Sequence, residues 1–167
     1  MSIKTYLKTR KNLKNIQKHL DETEYEQALN ILNEMSNENI EDEAITYFKT
    51  MAFQGLGEYE KGLNEIEPLI SEEDPNAYAL ELKGELYLHL DRFDDAIEVL
   101  KKAEKIDYDN VKIIYNLGLA HLLKGNYFEA QKKFDKVVRN DKHFWKKRLL
   151  MLSELLLNEK IIKLSKK

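Results

Sequence analysis

The sequence predicts an all-α protein, a solenoid of four stacked helical hairpins closed by a C-terminal capping helix. Three observations carry this. Tyr25, Tyr59, Phe93 and Tyr127 recur at intervals of 34 residues. Three further columns keep the same register: Ala28, Gly62, Ala96 and Ala130; then Leu32, Ile66, Leu100 and Phe134; then Met35, Leu69, Ala103 and Val137. No stretch alternates as a strand does, and the apolar residues follow helical spacing. A fixed period of this length marks repeats that bury their apolar faces only against their neighbours.

Each copy reads as helix A, a tight turn and helix B, and apolar spacing places helices near 4–21, 24–37, 42–55, 58–71, 76–89, 92–106, 110–124, 126–140 and 143–164. The turn position holds Thr23, Gly57, Asp91 and Gly125. Glycine tolerates positive φ there, while Thr23 and Asp91 are read as acceptors for the next helix, Thr23 pairing with Glu26 as a capping box. Between repeats, Asp74-Pro75 reads as an N-cap ahead of a first-turn proline, and Asp107, Asp109 and Asn110 offer further caps. The small residue of helix B is expected where the two helices cross closely, facing Thr50, Gly84 or Gly118 of helix A. A large residue at Ala96 would overpack that crossing.

The columns resemble those of the tetratricopeptide repeat family over about residues 9–142. The match is best at Gly84, Tyr87, Ala96, Leu100 and Ala103, and again at Leu117, Gly118, Ala130 and Phe134. The resemblance implies a right-handed α-solenoid with repeats about 9–42, 43–76, 77–110 and 111–144, and a capping helix with a basic tail over 145–167. The first copy departs, with Asn12, Asn15 and Ile16, as suits a terminal unit with a polar outer face. The second has Thr46 and Lys49 in helix A. The family's proline after helix B is absent at Ile40, Tyr108 and Lys142, so the inter-repeat turns are expected to differ.

The resemblance also implies a function, that of a noncatalytic adaptor taking a peptide or protein segment along the concave face of the A helices. Register maps that face onto Tyr47 and Met51, then Tyr78, Glu81 and Glu85, then Lys112, Tyr115 and Leu119, with Lys146 from the capping helix. Tyr47, Tyr78 and Tyr115 form a ladder, and tyrosine suits interfaces because it brings contact area at small entropic cost. For each of them, packing on the adjacent repeat is the competing reading. A groove with aromatic and leucine walls, acidic midway, suits an apolar segment carrying a positive charge near Glu81 and Glu85. A clamp of lysines and asparagines, which in some family members grips an acidic tail, is absent as a set, although Asn116, Lys112 and Lys146 resemble fragments of it. Capture of an acidic C-terminal tail is therefore the weaker alternative.

The ninth helix offers another surface. Met151, Leu152 and Leu155 fall where it would pack on the fourth copy, yet Leu149, Leu150, Leu156, Leu157, Ile161 and Ile162 add more apolar surface than one stripe needs. Self-association as a homodimer through Leu149, Leu156 and Leu157 is the alternative from a different class.

Composition limits other chemistry. The net charge of −3 divides into +6 over residues 1–19, −17 over 20–123 and +8 over 124–167. An acidic middle repels a polyanion, so nucleic acid is not an expected partner despite Lys132, Lys133, Lys136 and Arg139. The chain has no cysteine, which removes disulfide and thiolate chemistry. No phosphate-binding glycine loop is present, and His19, His89, His121 and His143 lack ligand partners at metal-site spacing, so neither cofactor, metal nor enzymatic activity is expected. The N-terminal Met1-Ser2-Ile3-Lys4 carries no apolar signal stretch, and no run of about 18 apolar residues occurs, which points to a cytoplasmic protein with no membrane contact.

Overall fold

The computed structural model describes residues 3–37 and 43–140. These form eight α-helices: α1 (Ile3–Asp21), α2 (Tyr25–Asn37), α3 (Glu43–Gly55), α4 (Tyr59–Ile66), α5 (Ala77–His89), α6 (Phe93–Ile106), α7 (Val111–Leu123) and α8 (Tyr127–Asn140). Consecutive helices pack on one another in chain order, and α1 also meets α3, α3 meets α5 and α5 meets α7. The fold is thus an α-solenoid with the A helices in one layer. The expected helix over 143–164, and with it Lys146, Leu149, Leu156 and Leu157, lies outside the described residues. No helix among the described residues is long and apolar enough to cross a membrane.

All four turns within hairpins share one geometry. Thr23, Gly57, Asp91 and Gly125 have φ of 61°, 76°, 56° and 87°. In each turn this residue's N–H reaches the carbonyl three residues back, as Gly57 reaches Gln54 at 3.1 Å. The next residue's N–H reaches five residues back, as Glu58 reaches Phe53 at 2.9 Å. That is the Schellman closure of a helix C-terminus. Thr23 and Asp91 therefore end helix A rather than cap helix B, contrary to the expectation from their side chains. The N-caps of α4 and α6 are Glu58 and Arg92, and neither makes a side-chain cap bond.

Between repeats the caps are asparagines in register. Asn76 accepts from the N–H groups of Tyr78 (2.9 Å) and Ala79 (3.3 Å), and Asn110 from those of Lys112 (3.1 Å) and Ile113 (3.3 Å). Asn76 thus replaces Asp74 as the cap, and Pro75 precedes the helix. The expected helix over 58–71 is also shorter. Pro68 has no N–H and its ring clashes with the preceding turn, so α4 stops at Ile66 and a 3-10 turn covers Glu67–Leu69.

The close crossings fall where glycine occurs. A Cβ on Gly84 would sit 2.5 Å from Leu100 Cγ, and one on Gly118 would sit 2.7 Å from Phe134 Cε1. The glycine of helix A therefore admits the large apolar residue of helix B. Gly62 faces Thr50 as expected, a Cβ there lying 3.6 Å from the Thr50 carbonyl, and it also opens space for Leu86 of the next repeat, at 3.1 Å. Thr50 stands in the glycine register of the second copy, fully buried, with its hydroxyl donating to the Thr46 carbonyl at 2.8 Å. The recurring aromatic reaches forward to the next hairpin. Tyr25 covers Gly55, and Tyr59 stacks on His89 with ring centroids 4.7 Å apart and planes 2° apart.

Candidate functional site

The layer of A helices encloses a pocket of about 340 Å³. Gln17, Leu20 and Asp21 come from α1, Tyr25 from the start of α2, Met51, Gln54 and Gly55 from α3, Tyr78, Leu82 and Glu85 from α5, and Lys112 from α7. Each A helix places its side chains here because residues four and eight positions apart share a face. Leu20 and Leu82 are buried, whereas Tyr78 is 44% exposed at the rim. Tyr78 is held there by neighbours on α3. Its ring meets that of Tyr47 edge-on at 4.8 Å, and its hydroxyl reaches Met51 Sδ at 3.8 Å. The Tyr47 hydroxyl accepts from Asn76 Nδ2 at 2.8 Å, which ties the cap of α5 to α3.

Beneath the rim a polar cluster joins α5 to α7. Lys112 Nζ lies 2.8 Å from Glu81 Oε1 and 3.2 Å from Glu85 Oε1. Asn116 Nδ2 donates to the same two oxygens, at 3.2 Å and 2.9 Å. Two carboxylates one helical turn apart thus share one ammonium and one amide. Glu81 is only 2% exposed. Burial first, and the adjacent Glu85 second, push its carboxyl up to about 7, against the pull of Lys112. Burial alone would lower the Lys112 ammonium, but Glu85 and Glu81 outweigh it and its pKa rises. Burial likewise raises the phenols of Tyr47 and Tyr78. At neutral pH the proton in play is that of Glu81.

The residues singled out by register are distributed in three ways. Met51, Tyr78, Glu85 and Lys112 meet at the pocket. Tyr47 stands behind Tyr78, and Glu81 lies below Glu85. Tyr115 is buried, its ring tilted against Phe134 at 5.9 Å, and Leu119 packs beside it, so the expected ladder of three groove tyrosines reduces to Tyr47 and Tyr78. The reason is depth: Tyr47, Glu81 and Tyr115 share one register position, which points between adjoining A helices. Register also missed residues it could have found. Gln17, Leu20 and Asp21 are the first-repeat equivalents of Met51, Gln54 and Gly55, while Tyr25 enters from the first residue of α2.

Other polar groups are spoken for. Lys133 Nζ lies 2.5 Å from Glu104 Oε2 and Lys136 Nζ 3.6 Å from Glu104 Oε1, which turns part of the basic fourth repeat inward. One histidine departs from expectation. His19, Glu22 and Glu24 bring ligand atoms within 4.8 Å of one another across the first turn, with His19 Nδ1 2.6 Å from Glu24 Oε2. The turn folds back residues whose linear spacing did not suggest a cluster. Lys18 also pairs with Glu22, at 3.7 Å, so ordinary ion pairing accounts for it. His121 is buried, and desolvation first, with Lys101 second, lowers its pKa, as suits a packed neutral ring.

Residues 84–125 match the family model described as TPR repeat. No curated protein matches the chain. Among solved structures, the stack is similar to TTC0263, a thermophilic TPR protein of Thermus thermophilus. The TM-score is 0.72 at 19% identity, covering 80% of this chain and 74% of that one. MamA from Desulfovibrio magneticus RS-1, residues 41 to its end, gives a TM-score of 0.68 at 19% identity over 80% of this chain and 75% of that one. A further MamA crystal structure gives 0.67 at 22% identity over 83% and 84%. At these identities the likeness is one of fold.

Proposed function

We propose that this chain is a tetratricopeptide-repeat protein whose A helices leave a pocket on their shared layer, and that it works as a noncatalytic adaptor holding a segment of a protein partner in that concave face. One observation carries the reading: four successive A helices converge on one pocket that sets Leu20, Met51, Tyr78 and Leu82 beside Gln17, Asp21, Gln54, Glu85 and Lys112. A concave site that joins apolar surface to placed polar groups suits recognition of a partner. Tyr78 and Met51 supply contact area, and the contacts they make with each other and with Tyr47 hold them before a partner arrives, which reduces the ordering cost of binding. An acidic tail is the poorer occupant, because Lys112 is already claimed by two carboxylates. The test is partner capture from lysate with wild type and with Tyr78→Ala/Met51→Ala, each verified as helical by circular dichroism. The reading expects specific partners to be lost from the double variant, and an unchanged partner profile would reject this surface.

A further inference from the structure

Resting on that reading of the groove, we propose that the pocket takes a long cationic side chain of the partner, arginine above all, and that this cation is taken up in exchange for the proton on Glu81. The walls suit the stem and the head of such a side chain. Leu20, Leu82 and Met51 can line its methylenes, while Tyr25 and Tyr78 line the same pocket and bring aromatic rings, which attract cations. Two carboxylates face the same space with capacity to spare. Asp21 receives Gln17 Nε2 on Oδ1 at 2.8 Å, and Glu85 receives Asn116 and Lys112 on Oε1, so among the described residues each keeps its second oxygen for a ligand.

Charge balance links binding to the proton. With Glu81 protonated, Asp21, Glu85 and Lys112 leave one net negative charge around the pocket. A bound guanidinium would cancel it, and loss of the Glu81 proton to solvent would restore it. The two events are linked because Glu81 and Glu85 share the same two donors, so a cation held by Glu85 weakens the repulsion that, after burial, favours the proton on Glu81. The titratable groups around the pair are Tyr78 on α5, Lys112 on α7, Asp21 on α1, Tyr25 on α2, and Tyr47 on α3, which packs against Tyr78. The phenols of Tyr47 and Tyr78 and the ammonium of Lys112 are all raised and keep their ordinary forms through the neutral range, which leaves Glu81 to respond.

The experiment titrates the full chain with acetyl-Ala-Leu-Arg-Leu-Ala-amide and with its counterpart carrying citrulline, the neutral isostere of arginine, following backbone and methionine-methyl NMR shifts at pH 6 and pH 8. The expected result is shifts at Met51 and along α5, binding of the arginine peptide several-fold tighter than the citrulline peptide, and about tenfold tighter at pH 8 than at pH 6 for a proton lost from a carboxyl near 7. In Glu81→Gln the arginine preference should persist without the pH dependence, and Asp21→Asn should weaken it. Equal binding of the two peptides would overturn the cation site while leaving the groove reading intact. An arginine preference indifferent to pH would overturn the exchange, and failure of both peptides to bind would overturn the inference as a whole. Shifts confined to the B helices would overturn the groove reading itself.

Discussion

Glu81 is a carboxyl group 2% exposed at the floor of the groove, and it sets how the stack responds to pH. Its folded pKa of about 7 lies above the ordinary 4.5, so the folded chain binds a proton that the unfolded chain has released. The stabilisation is therefore complete below about pH 4.5 and is lost as pH rises through 7. Between pH 5 and pH 8 the wild type should lose on the order of 2 kcal/mol more stability than Glu81→Gln, which carries no proton there. Urea unfolding at the two pH values checks this, and parallel losses in the two proteins would sink it. Register located Glu81 but not its depth. The depth was nonetheless hinted at by its equivalents Tyr47 and Tyr115, whose bulk suits a position wedged between helices. Asn116, which holds both carboxylates, was noticed only as part of an incomplete clamp, because its partners lie one repeat away in sequence.

Within each hairpin, helix length and crossing distance follow from a few positions. The Schellman turns were half legible: Gly57 and Gly125 announce positive φ, whereas Thr23 and Asp91 invite a reading as caps and adopt the same backbone. The period is the better guide there, since equivalent positions in a stack must take equivalent backbone conformations. Pro68 should have shortened α4 on sequence grounds alone, because its missing N–H breaks the ladder. The crossing of α5 and α6 gives the sharpest element-scale prediction. Gly84→Ala raises helix propensity by about 1 kcal/mol but drives a methyl into fully buried Leu100. Overpacking of this kind costs about 1–3 kcal/mol, so a net loss of about 1 kcal/mol is expected by chemical denaturation. A stabilised variant would mean that the hairpin is looser than its geometry implies.

For the whole molecule, four columns of side chains were enough to order the described helices and to place the A helices in one layer. They could not show which of those helices would share a pocket. That depends on how far each neighbour leans over the next, and here Tyr25 of the repeated aromatic column enters from the start of α2. The acidic middle of the chain was legible as a sum. Its pairing was not, because Lys112 meets Glu81 and Glu85 only once α7 lies on α5. The adaptor account reduces to one requirement, that partners lie against the A layer and not against the B helices. A photo-cross-linking amino acid placed at Met51 in the pocket, and separately at exposed Lys102 on α6, tests it directly. The account predicts covalent partner adducts from position 51 and none from position 102. Adducts from position 102 with position 51 silent would contradict it.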